Sequence, residues 1–76
     1  MAASETYRWR KTTDINREHA IFELLDGDMA ILDAGFTDDG MFEVAFNLSI
    51  SGKVMELEQL LRLLNEGRIL AERDRK

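Results

Sequence analysis

Residues 20–47 read AIFELLDGDMAILDAGFTDDGMFEVAFN, three apolar runs broken by DGD and TDDG. Tight turns select these break residues: Gly tolerates positive φ, and Asp bonds its own backbone. Short apolar runs punctuated this way predict an antiparallel meander over residues 18–47. Directly after it, LEQLLRLL carries leucines at helical spacing, which predicts a helix over 55–73. The expected fold class is α+β: an antiparallel β-meander of three or four strands with one C-terminal helix packed on one face.

Turn chemistry sets an expected register. A loop of Asp26, Gly27 and Asp28 would place Leu25 opposite Met29, Leu24 opposite Ala30 and Phe22 opposite Leu32. In the second hairpin, a type I turn with Gly40 left-handed makes Asp38-Asp39-Gly40 the loop. Thr37 then faces Met41, Phe36 faces Phe42, Ala34 faces Val44 and Leu32 faces Phe46. Both registers gather Ala20, Phe22, Leu24, Ala30, Leu32, Ala34, Phe36, Phe42, Val44 and Phe46 on one face. A slip of one residue would invert that face, and an Asp26-Gly27 turn would produce such a slip. A helix capped by Asp14 and stopped at Gly27 is the alternative for residues 17–25. Its apolar residues would scatter around the axis, which favours the strand.

Residues 1–5 are expected to fray, and TYRWRKT over 6–12 alternates like an extra edge strand. Tyr7, Trp9 and Lys11 fall on one side of it, Arg8, Arg10 and Thr12 on the other. TTDIN breaks this strand from the meander, and NLSISGK links the meander to the helix. The helix is expected to bury Leu57, Leu60, Leu61, Leu64 and Ala71, with Glu58 and Arg62 spaced for an i,i+4 ion pair. Gly67 at the stripe's edge predicts a close approach of helix to sheet; a helix ending near Asn65 and restarting is the alternative. The pattern GFTDDGMFEVAFN, ISG, LEQLLRLLNEGRILAE resembles small bacterial proteins built of a β-meander and a C-terminal helix. That resemblance implies the same fold and brings no activity, cofactor or functional residue with it.

The 76 residues make a single domain over 1–76, too short for a second one. A chain this small buries only about 60% of the surface its unfolded form exposes, so its stability margin is thin. It has no cysteine, which excludes disulfides, thiolate ligands and cysteine nucleophiles. Met-Ala-Ala-Ser followed by charged residues lacks the apolar core of a signal peptide, and no run approaches a membrane span. A cytoplasmic protein with no membrane contact is expected. The net charge of −5 repels phosphate backbones unless basic residues segregate. They cluster near both ends, while acids crowd the middle.

One helix covers one sheet face. The other would present His19, Ile21, Glu23, Met29, Ile31, Asp33, Met41, Glu43, Ala45 and Asn47. Its apolar centre with charged flanks is the make-up of a binding surface. The candidate partner-binding residues are therefore Ile21, Glu23, Met29, Ile31, Asp33, Met41 and Glu43. Their partner would be a second copy (a homodimer) or another protein; the bland alternative folds Tyr7 and Trp9 over the face. No catalytic residue, metal site, cofactor or small-molecule substrate is indicated. DGD and TDDG lack the alternating ligands of a calcium loop, and the lone His19 has no nucleophile placed beside it. Two further readings are an immunity-type inhibitor of a basic toxin and single-stranded nucleic-acid binding through Tyr7–Lys11, whose aromatics and bases suit such grooves.

Overall fold

The computed structural model describes residues 6–75, so the expectation of fraying at 1–5 lies outside the described residues. Four strands form one antiparallel sheet in the order β1-β2-β3-β4: β1 Tyr7–Thr12, β2 Ile21–Asp26, β3 Met29–Phe36 and β4 Phe42–Phe46. A 3-10 turn over Leu48–Ile50 follows, and the helix α1 spans Leu57–Asp74. TYRWRKT thus contributes an edge strand, paired with β2 from Tyr7↔Asp26 to Thr12↔Ile21. Between them, Asp14 accepts from the amides of Asn16 and Arg17, a local turn in place of a helix cap.

The second hairpin has the register its turn predicts, with Phe36↔Phe42, Ala34↔Val44 and Leu32↔Phe46. Gly40 adopts φ +88, and its amide donates to Thr37 O while the Thr37 amide donates to Met41 O. The first hairpin differs. Asp26 pairs with Met29, which leaves a loop of Gly27 and Asp28 alone. Gly27 takes φ +63 and Asp28 has no positive φ, the pattern of a type II′ turn.

That shorter turn alone would invert the face of β2 relative to β3. A β-bulge prevents it: Leu25 pairs with Ala30 but Leu24 with Leu32, so Ile31 is the inserted residue on β3. Leu24, Leu32, Phe22 and Ala34 therefore keep the expected core face, although Leu24 meets Leu32 and not Ala30, and Phe22 meets Ala34 and not Leu32. The bulge also turns Ile31 inward. It is 1% exposed and packs with Leu24, Leu32 and Leu63.

The helix lies over the inner face of β2 and β3 and is continuous through Gly67. It begins at Leu57 and not at Met55, and its buried residues are Leu63, Gly67 and Ala71. Leu57 and Leu61, expected inside, are exposed. Gly67 decides this rotation. A Cβ there would stand 2.5 Å from Trp9 Cζ2, so only glycine lets the indole lie on the helix backbone. From that seat Trp9 Nε1 donates to Leu63 O at 3.0 Å. The ion pair along the helix is Arg68–Glu72 at 3.4 Å; Glu58 and Arg62 form none among the described residues.

Candidate functional site

The outer face is built from strand alternation. Arg10, Glu23, Asp33 and Ala45 form one row across the four strands, with each pair directly opposed. Glu43 sits beside this row, opposite Gly35. Residues directly opposed in an antiparallel sheet share a face with Cβ atoms about 4.5–5.5 Å apart, so Glu23 and Asp33 are two carboxylates in lateral contact range. Arg10 relieves one of them, donating from Nη2 to Glu23 Oε1 at 2.5 Å and from Nε at 3.1 Å.

Asp33 has no such relief. Its Oδ1 is buried and has no hydrogen-bond partner among the described residues. Burial first, and then the Glu23 carboxylate facing it, raise its pKa above the ordinary aspartate value. The floor next to it is an open depression of about 410 Å³ lined by Arg17, Ile21, Asp33, Gly35, Glu43 and Ala45. Gly35 shapes one end: a Cβ there would meet Ala20 O at 3.1 Å, so its absence lets residues 17–21 run close to β3. Arg17 closes that end, its Nη2 donating to Phe36 O at 3.1 Å.

Of the seven residues expected to bind a partner, the fold gathers Ile21, Glu23, Asp33 and Glu43. Ile31 is corrected to the core, because the bulge sends its side chain inward. Met29 is exposed, but it opposes Asp26 and so shares the inner-face parity of Leu24, again because of the bulge. Met41 is exposed at the second hairpin, across the length of β3 from Met29. Sequence reasoning missed Arg17 and Gly35. A glycine inside a strand signals a close backbone approach, so Gly35 carried a legible mark; nothing around Arg17 did.

The stretch from Tyr7 to Lys11 presents its aromatics inward. Tyr7 and Trp9 pack against the core cluster of Leu24, Ile31, Leu32 and Leu63. The Lys53 ammonium stands 5.3 Å from the Tyr7 ring centre while pairing with Asp26 at 2.5 Å. Base stacking needs free aromatic faces, and these two rings are engaged. His19 lies 4.0 Å from Glu18 at the strand's entry, away from the acidic row. Among the described residues no helix is long and apolar enough to cross a membrane. Compared with protein families, with curated proteins and with solved structures, the chain matches none.

Proposed function

We propose that this chain is a non-enzymatic protein-interaction module whose outer sheet face docks a basic surface of another protein. The carrying observation is Asp33, a carboxylate with a buried, unpartnered Oδ1 directly opposite Glu23. Desolvation and a like charge both oppose its ionisation, so it weakens the isolated fold. A guanidinium or ammonium from a partner would bond Oδ1 and offset both penalties together. Glu43 and the net charge of −5 extend the same field and speed encounter with a cationic partner.

The same charges oppose pairing of two copies through this face, since each would bring Glu23, Asp33 and Glu43 against the other. Ile31, the apolar anchor that such a pair would need, is buried in the core. A heterologous basic partner therefore fits the face better than a homodimer; a basic toxin neutralised by charge complementarity belongs to this partner class. Calorimetric titration with an arginine-rich peptide tests the reading. Binding should weaken steeply with salt and fall in the Asp33→Asn protein. Undiminished binding to a triple variant carrying Glu23→Gln, Asp33→Asn and Glu43→Gln would overturn it.

A further inference from the structure

β4 is an edge strand, and its free edge is self-complementary. Asn47 N donates to Ile31 O, and the Thr37 amide donates to Met41 O. Antiparallel pairs alternate between bonded and non-bonded positions, so the odd-numbered residues of this stretch face β3. Phe42, Val44 and Phe46 consequently direct their backbone N–H and C=O groups away from the sheet. These positions are symmetric about Val44. A second β4 laid antiparallel would set Val44 opposite itself and Phe42 opposite Phe46, satisfying all three residues of each copy.

The side chains agree with this geometry. The helix packs mainly on β2 and β3, and Phe46 at the end of β4 stays 63% exposed on the inner face. Helical spacing puts Leu57 and Leu61 on the flank opposite Glu66, Leu70 and Arg73, which adjoin Arg8 and Trp9 of β1. Leu57 and Leu61 therefore line the β4 side. Leu48 and Val54, in the segment joining β4 to α1, are more than 90% exposed at 94% and 91%. At roughly 180 Å² for a large apolar residue, these five expose about 650 Å² of surface. A stable interface buries about 800 Å² per partner; Phe46, Leu57 and Leu61 contribute about 320 Å² of it, and the β4 edge with Phe42 and Val44 adds to that. The chain's other edge behaves differently: β1 carries Arg8, Arg10 and Lys11, charges that guard an edge against pairing, whereas β4 carries only Glu43.

We infer that two copies of this chain associate through β4 about a two-fold axis at Val44, forming one eight-stranded sheet with Phe46, Leu57 and Leu61 packed between the copies. This surface is separate from the acidic face, and the dimer would set two such faces side by side. Light scattering on a size-exclusion column tests it, at low and high salt and over a wide concentration range. The expected mass is twice that of the chain at both salts, because the contacts are apolar and backbone bonds. Phe46→Lys and, independently, Leu57→Lys should each return a monomer whose circular dichroism and melting remain those of a folded domain. A monomer throughout would overturn the inference, as would a dimer indifferent to both variants. A mass rising without limit would overturn it too, since it would mean open-ended pairing of β4 with β1. Loss of the dimer only on neutralising Glu23, Asp33 and Glu43 would move self-association to the outer face and refute both assignments.

Discussion

Replacing Gly67 by alanine sets two known effects against each other, and the structure decides the sign. In an exposed helix interior the change stabilises by about 1 kcal/mol, because glycine is the poorer helix former. Here the new Cβ would lie 2.5 Å, 2.7 Å and 2.9 Å from three atoms of the Trp9 ring. The indole is rigid and held between β1 and the helix, so the two must separate. Overpacking of this kind costs about 1–3 kcal/mol. Separation also stretches the bond from Trp9 Nε1 to Leu63 O, whose loss in a partly buried setting costs about 1–3 kcal/mol more. The net expectation is destabilisation by roughly 1–5 kcal/mol. Each kcal/mol lowers Tm by about 4–8 °C in a domain of this size. Urea unfolding followed by fluorescence reports directly, since Trp9 is the only tryptophan. In a Trp9→Leu background, followed by circular dichroism, the same alanine should become neutral or stabilising, giving a coupling energy of at least 1 kcal/mol. A Gly67→Ala protein more stable than the parent would refute the account of how the helix docks.

Three other outcomes follow from the same packing. Ile31→Asp should unfold the domain, because it puts a carboxylate at a fully buried core position; Ile31→Val should cost only about 0.5–1.5 kcal/mol by denaturant titration. Asp33→Asn should stabilise the isolated protein at neutral pH. The folded pKa of Asp33 is raised, so the fold binds more protons than the unfolded chain between the two pKa values, and stability declines as pH rises through that window. The gain from asparagine should therefore be present at neutral pH and vanish below the ordinary aspartate range. Asp26 is the opposite case: Lys53, bonded to its carboxylate, lowers its pKa. Stability from that pair is present above the ordinary aspartate value and is lost as pH falls through the lowered one, so the parent should lose more stability in acid than Asp26→Asn does. Being partly exposed, the pair is worth at most about 1 kcal/mol.

The fold class was legible because turn chemistry and periodicity agreed. TDDG admits one common solution, with Gly40 left-handed, and the register followed from it. DGD admits two, differing by one residue, and the choice rests on Gly27 alone taking the positive φ. The bulge at Ile31 then restored the core face by a route that an unbroken apolar run such as AIL does not announce. This is why Ile31 and Met29 were expected outside. The helix carries two apolar stripes, one through Leu57 and Leu61 and one through Leu63 and Ala71, and spacing alone does not rank them. A tertiary contact does: Trp9 seats on Gly67, 58 residues away in sequence. The acidic face was legible from alternation, since Glu23, Asp33 and Glu43 keep the outer face; that Glu23 lies opposite Asp33 was not, because the bulge sets that pairing.

The account's central claim is that the acidic outer face is a docking surface for a cationic partner. Backbone amide mapping by NMR during titration with an arginine-rich peptide tests it most directly, with the Asp33 side-chain carboxyl followed in the same samples. The account predicts shifts confined to Ile21, Glu23, Asp33, Gly35, Glu43 and their neighbours, together with a fall in the Asp33 pKa toward its ordinary value on binding. Shifts centred on Leu57, Leu61 and Phe46, or an Asp33 pKa that saturating peptide leaves unmoved, would contradict it.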